Sequence, residues 1–334
     1  MSLTRCYIAR SLVPTRPLAR IHYRNISIPA ASQVSPSEGG PIPALTGSHR
    51  WSLPEAQPLT RDGFLSMLHG HTAAIRVPKF VNRHHAQRFE KHLHPLLRPY
   101  SHIAGPSVDK VGLAQFEFQA QSAEDFQSRG SDAQDRYFTQ VAQLTDLHAR
   151  IAKITGDNAW ERILTILRDL VPDHEVRVAH EPDGRRYHAG IYRSINNSTP
   201  IHCDWSPYDS LTEDWIINRV THQAVFNLYL APMIDGETIL YDRIWEEELL
   251  RYRDPETYGY FREAVEGCAT VTLRPSVGDL YLFNTRNLHE VKSTGSEIHP
   301  DGGLWQRPRL TLSAFLGLLP AGILSTRPTI ILWS

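Results

Sequence analysis

His202 and Asp204 stand two positions apart in TPIHCDWSPYD, residues 199–209. Residues i and i+2 of a strand point to the same face. At a strand end the imidazole and the carboxylate therefore share one space, and Cys203 faces away as a small packed residue. Two such groups do not complete a metal site. A third donor is available in GDLYLFNTRNLHEV, where a strand pattern ends at Thr285-Arg286-Asn287 and His289 follows at the start of the next strand. Two imidazoles and one carboxylate form a donor set suited to non-haem Fe(II), with positions left for a co-substrate and O₂. Arg309 opens RLTLSAFLG, and a guanidinium there can clamp a carboxylate bidentately. Thr311 and Ser313 share its strand face, which puts hydroxyls beside the cation. Arg307 has the same strand parity and is the alternative clamp.

Other candidate groups have simpler readings. His299-Pro300-Asp301 repeats the H-x-D spacing among Pro, Gly and Ser with no strand to aim it, and reads as a solvated turn. His69-Gly70-His71 reads as a turn and His84-His85 as a helix surface, neither with a third donor in view. Trp205, Tyr208, Trp215 and Trp245 lie near the pair in sequence and either wall a pocket for an apolar or ring-containing small molecule or pack in the core.

The elements that must position these groups fall into two zones. Residues 63–174 are mainly helical. TAAIRVPKF (72–80) reads as a strand, Asn82 as the cap of a helix over 83–97, and GLAQFEFQ (112–119) as a strand. A long helical pattern covers 132–154, and a second helix starts at Asp157 and ends at Pro172. After Pro172 strand patterns follow one another at 175–180, 187–195, 221–231, 237–242, 268–275, 278–284, 290–293 and 309–317, separated by turn residues such as Pro182-Asp183-Gly184 and Asp235-Gly236. Residues 243–267 are too long and too charged for a hairpin turn and read as a helical insertion that, with 205–220, roofs one end. The expectation is an α+β fold, a β-sandwich or barrel with helices on one face.

The chain has 334 residues, 41% hydrophobic and 21% charged, which is enough for one sizeable core. A formal net charge of -1 gives no electrostatic reason to expect nucleic acid as a partner. No apolar run approaches the roughly 20 residues of a membrane span. Three cysteines exclude a disulfide framework and point to a reducing compartment. Residues 1–37 carry Arg5, Arg10, Arg16, Arg20 and Arg24 and no acidic residue, and eight prolines fall between Pro14 and Pro58. Residues 1–62 therefore read as a disordered tail or an organelle-targeting leader, with a cytoplasmic or mitochondrial location, and 63–334 as a single domain.

The order H-x-D, then Gly236-Glu237-Thr238, then GDLYLF with His289 downstream, then Arg309-Leu310-Thr311, resembles the Fe(II)/2-oxoglutarate-dependent oxygenases over roughly residues 187–317. The resemblance implies a double-stranded β-helix (jelly-roll) core. It implies His202, Asp204 and His289 as ligands of Fe(II), with 2-oxoglutarate and O₂ as co-substrates and Arg309 on the far carboxylate of 2-oxoglutarate, helped by Thr311. It also implies a co-substrate contact from Tyr192, ten residues before His202, and a cavity-lining place for Asn227. The spacing from His289 to Arg309 is longer than usual in the family, because TGSEIHPDGGLWQ fills it. Asp204 keeps the carboxylate that halogenating members lack, so hydroxylation or a related oxidation of a small organic molecule is implied. The alternatives are a protein hydroxylase of the same fold and a jelly-roll binding protein without catalysis.

Overall fold

The computed structural model describes residues 50–100, 108–120, 132–210, 214–298 and 302–334. The strands are β1 Ala56–Pro58, β2 Ala74–Val77, β3 Arg98–Pro99, β4 Val108–Val111, β5 Glu175–Val178, β6 Ile191–Ile195, β7 Thr199–His202 and β8 His222–Tyr229. They continue as β9 Thr238–Ile244, β10 Thr270–Leu273, β11 Leu280–Asn284, β12 Asn287–Val291, β13 Ser296–Ile298, β14 Leu304–Gln306, β15 Arg309–Leu319 and β16 Thr329–Trp333. The α-helices are α1 Arg61–Leu68, α2 Arg83–Leu93, α3 Ala133–Val141, α4 Leu147–Thr155, α5 Ala159–Leu170 and the single turn α6 Ser206–Asp209.

The fold is α+β. A large sheet runs β1-β2-β11-β8-β15-β6-β4-β3, with β16 bonded to β15 and β5 to β16. A smaller sheet runs β10-β9-β12-β7. From β6 onward the chain passes repeatedly between the sheets. β6, β8, β11 and β15 lie in the large one, and β7, β9, β10 and β12 in the small one.

One parity rule governs the large sheet, because successive strand residues face opposite ways. The even-numbered Tyr192, Ala224, Phe226, Leu228, Leu280, Leu282, Leu310, Leu312, Ala314, Leu316, Ile330 and Leu332 pack in one apolar cluster with helix residues such as Phe64, Phe89, Ile151, Trp160 and Leu164. Each fully buried large side chain there contributes roughly 1.5–3 kcal/mol. The odd-numbered Val225, Tyr229, Tyr281 and Phe283 pack instead against Leu240 of β9 and Val271 and Leu273 of β10, so this face meets the small sheet.

Local chemistry fixes the helices. Thr60, Asn82 and Asn158 cap the starts of α1, α2 and α5 by accepting the N–H groups of Gly63, His85 and Glu161. The single helix expected over 132–154 is broken. α3 buries Tyr137, Phe138 and Val141 with Tyr187 and Trp215, whereas α4 buries Leu147 and Ile151 in the cluster under the large sheet. The bend between them lets one sequence reach two cores. The stretch 243–267 is not α-helical. It forms two 3₁₀ turns, Glu247–Tyr252 and Arg262–Val265, separated by Pro255 and Gly259. Their buried residues Leu249 and Tyr252 recur at the three-residue period of such a turn. Residues 112–119 carry a 3₁₀ turn, Gln115–Glu117, rather than a strand. The ordered fold also starts before residue 63. Trp51 is buried against the small sheet's cluster and β1 pairs parallel to β2. β16, whose TIILW reads as a continuous apolar run, is a further strand beyond those read from the sequence; it is buried on both faces. The Arg-rich segment of residues 1–37 and the His299/Asp301 pair lie outside the described residues.

Candidate active site

β7 and β12 pair antiparallel with His202 directly opposite His289. The two rings lie 4.2 Å apart between centroids. His202 Nδ1 is 2.9 Å from the carbonyl of Pro200, and His289 Nδ1 is 2.9 Å from the carbonyl of Asn287. An Nδ1–H donated to each carbonyl fixes the neutral tautomer that leaves Nε2 with a free lone pair. Asp204 lies just beyond β7, where its N–H donates to the Thr285 carbonyl at 2.9 Å and its own carbonyl accepts from Gln223 Nε2 at 3.1 Å. These bonds bring Asp204 Oδ2 to 3.6 Å from His289 Nε2. His202, Asp204 and His289 each offer one donor atom, and all three lie within 4.8 Å of one another. Burial, reinforced by neighbouring His289, pushes the His202 imidazole down to about 4. Burial pushes the Asp204 carboxyl up, but the two imidazoles outweigh it and leave it below the ordinary carboxylate range. The site thus sets a His202 imidazole held neutral beside an ionised Asp204 carboxylate, the forms in which these groups bind a metal.

Two cavities meet at these residues. The inner one, about 110 Å³, lies between the sheets and is lined by His202, Asp204, His289, Arg309, Thr311 and Asn227 among others. Arg309 is 7% exposed, and its nearest polar partner is the Gly236 carbonyl, 3.5 Å from Nη1. Among the described residues no carboxylate lies within the 4.0 Å of an ion pair. Burial lowers its pKa, as expected for a cation lacking a counter-charge. Beside it, the Ser313 hydroxyl is 2.6 Å from Asn227 Oδ1 and 3.0 Å from Thr311 Oγ1. The inner cavity is therefore shaped for an anion flanked by hydroxyl groups.

Two expected contacts fall elsewhere. Tyr192 pairs with Leu312 in the ladder, so it takes the even-numbered face and points into the helical layer. Its ring stacks on Phe89 and its hydroxyl is 3.3 Å from His148 Nδ1. Its neighbour Arg193 takes the cavity face instead, bonded through Nε to the Tyr100 hydroxyl at 2.8 Å. Arg307 lies 3.6 Å from Glu90 of α2 and lines neither cavity.

The outer cavity, about 520 Å³, shares Arg193, Ile195, His202, Asp204 and Phe315 with the inner one. Its further wall includes Tyr208, Asp209, Arg253, Tyr258 and Tyr260. Tyr258 meets His202 edge-on at 5.4 Å. Gly259 allows this approach: a Cβ there would come within 2.8 Å of the Ile201 carbonyl oxygen, whereas the adjacent Tyr260 N–H donates to that same oxygen at 2.7 Å. Of the four aromatic residues noted near the pair, Tyr208 lines the cavity. Trp245 backs it at 4.4 Å, and Trp215 is core, packed with Tyr137, Phe138 and Tyr187. Trp205 lies under the Arg286 guanidinium. Arg193, Asp209, Arg253 and Tyr258 are wall residues the sequence reading passed over. For Arg193 a signal existed, a cation inside the mainly apolar IYRSI strand pattern.

No family model matches the chain. Leucinostatins biosynthesis cluster protein S of Purpureocillium lilacinum is 34% identical over 239 residues, 70% of this chain and 89% of that protein. L-gamma-glutamyl-L-propargylglycine hydroxylase of Streptantibioticus cattleyicolor is 33% identical over 146 residues, 42% of this chain and 48% of that protein. Among solved structures, an N-substituted L-amino acid dioxygenase from Burkholderia ambifaria in complex with alpha-KG superposes with a TM-score of 0.51 at 16% identity, covering 81% of this chain and 90% of that one. The chain belongs to the Fe(II)/2-oxoglutarate-dependent oxygenases. Among the described residues of the oxygenase, the His202/Asp204/His289 set is the one cluster of three metal-capable side chains. No described helix is long and apolar enough to cross a membrane.

Proposed function

We propose that this oxygenase hydroxylates a small organic molecule bound in the outer cavity. Its overall reaction would convert substrate, 2-oxoglutarate and O₂ to hydroxylated product, succinate and CO₂. His202, Asp204 and His289 hold the Fe(II), and Arg309 pairs with the far carboxylate of 2-oxoglutarate, with Thr311 and Ser313 offering hydroxyls beside it. The bound iron supplies the oxidising chemistry; the chain supplies orientation and exclusion of water. The observation that carries this reading is the pairing of two features in one inner cavity. Two imidazoles with free Nε2 atoms face a carboxylate, and a buried guanidinium has no carboxylate partner among the described residues. An anion entering between them satisfies both ends at once.

The strand order supports a double-stranded β-helix. Its eight strands alternate as β6-β15-β8-β11 against β7-β12-β9-β10, the two halves of a jelly roll. The outer cavity, about 520 Å³, has the size of a small-molecule site rather than of a polypeptide groove. The relative that its name makes a hydroxylase acts on a dipeptide-sized molecule, which fits the same reading. The deciding experiment adds Fe(II) and 2-oxoglutarate anaerobically and looks for their charge-transfer absorption, then admits air and assays succinate. Both signals are expected from the wild type and neither from His202→Ala. Absence of both in the wild type removes the proposal.

A further inference from the structure

Among the described residues, the outer cavity carries a carboxyl group without a cationic partner. Asp209 closes the single turn α6; its Oδ2 accepts the Trp205 N–H at 2.8 Å, and its own N–H donates to the Trp205 carbonyl at 2.9 Å. These two bonds aim the carboxylate and occupy one of its oxygens. The side chain is exposed and lines the cavity. Among the described residues no Lys, Arg or His nitrogen lies within ion-pair distance of it. Burial is the largest influence on its carboxyl and raises it to about 7; Asp204 pushes the same way, and Arg253, on the same wall, offsets this only weakly. A carboxylate with no cation beside it among the described residues can take one from a ligand. Tyr208 shares its wall as an aromatic residue, whereas the Tyr260 ring already carries the Arg253 guanidinium 5.2 Å from its centroid.

Resting on the function proposed above, we infer that Asp209 receives a protonated amine of the substrate. The oxygenase thereby selects amine-bearing small molecules, and the ammonium anchor sets which C–H bond is held toward His202 and Asp204. Asp209 is the specificity residue of the outer cavity, as Arg309 is the anion clamp of the inner one.

A carboxylate that merely closes the α6 turn would serve equally well as an amide, because Asp209→Asn keeps an oxygen for the Trp205 N–H. The test uses the full chain without metal and six probes. These are the methyl esters of leucine, phenylalanine and lysine, each with a free α-amine and with that amine acetylated, titrated by ligand-observed NMR. In the wild type at least one free amine is expected to bind about tenfold or more tightly than its acetylated twin, the gain of one charge-assisted bond. In D209N, with unchanged thermal midpoint, that ratio is expected to fall to about twofold or less. Asp209→Ser serves as the second variant should the amide not fold. No amine preference in the wild type, including no binding of any probe, overturns the inference, as does a preference that survives in the variants. Because the probes are read without iron, a missing charge-transfer signal sinks the oxygenase site alone and leaves this result standing.

Discussion

The two faces of the large sheet are made by the same strands and differ in almost every property. The even-numbered face, under the helices, is dry and neutral. Its Tyr192 and the adjoining His148 and His188 are buried, and both imidazoles are held uncharged. The odd-numbered face, toward the small sheet, carries Arg193, Arg309, Thr311 and Ser313 around open space. One face is closed by packing against the helices; the other leaves a cation for a ligand to complete. Changes on the ligand face should therefore alter activity while sparing stability, and changes on the helix face should do the reverse.

The largest expected effect is at the ligand set. Asp204→Gly and His202→Ala should each bring succinate release to background, with a thermal midpoint no lower than that of the wild type without metal. A collapse in the midpoint instead would erase the contrast between the faces. Next comes Arg309→Met. Losing a charge-assisted pair should raise the KM for 2-oxoglutarate about 100-fold, close to 3 kcal/mol. The ligand-free variant should melt higher than the wild type, since it no longer buries an uncompensated cation. Calorimetry with and without 2-oxoglutarate reads both signs.

The helix face should reveal itself in acid. Burial holds His148 and His188 below the ordinary imidazole value, at about 4 and about 3, so the fold keeps both neutral. The unfolded chain takes up protons first, below about pH 6.5. The contribution is complete above that pH and is lost as pH falls toward the folded values. Denaturant titration at pH 5 should find about 2 kcal/mol less stability per imidazole than above pH 6.5. His148→Gln should flatten that slope, and an unchanged slope would remove His148 from the account. The smallest effect belongs to Tyr192→Phe. It should leave the KM for 2-oxoglutarate within about twofold and cost about 1 kcal/mol or less, the worth of one weak hydrogen bond to His148. A tenfold rise in that KM would return Tyr192 to the co-substrate.

The inner site was largely legible because its parts sit on regular strands. Parity alone places His202 with Asp204, and Arg309 with Thr311 and Ser313, on common faces. The same rule explains the error at Tyr192. A count of ten residues back from His202 fixes a distance along the chain but not a side of the sheet, and the ladder with Leu312 puts that residue on the helix side. The outer wall was far less legible. Asp209 sits in a one-turn helix and Tyr258 between two 3₁₀ turns, where no period of two or 3.6 tells which way a side chain points. Residues 243–267 looked helical by charge and length, but Pro255, Gly259 and the buried Leu249 and Tyr252 favour short turns packed on Ile201 and Trp245.

The sequence by itself determined the donor types, their order and the strand faces that carry them, since side-chain chemistry and the two-residue period of a strand are local properties. Tertiary structure alone decided that His289 lands opposite His202, that Arg309 has no carboxylate partner among the described residues, and that Asp209 opens into the outer cavity. Those facts depend on which strands pair, in what register, and on what fills the space between the sheets, and no local pattern encodes them.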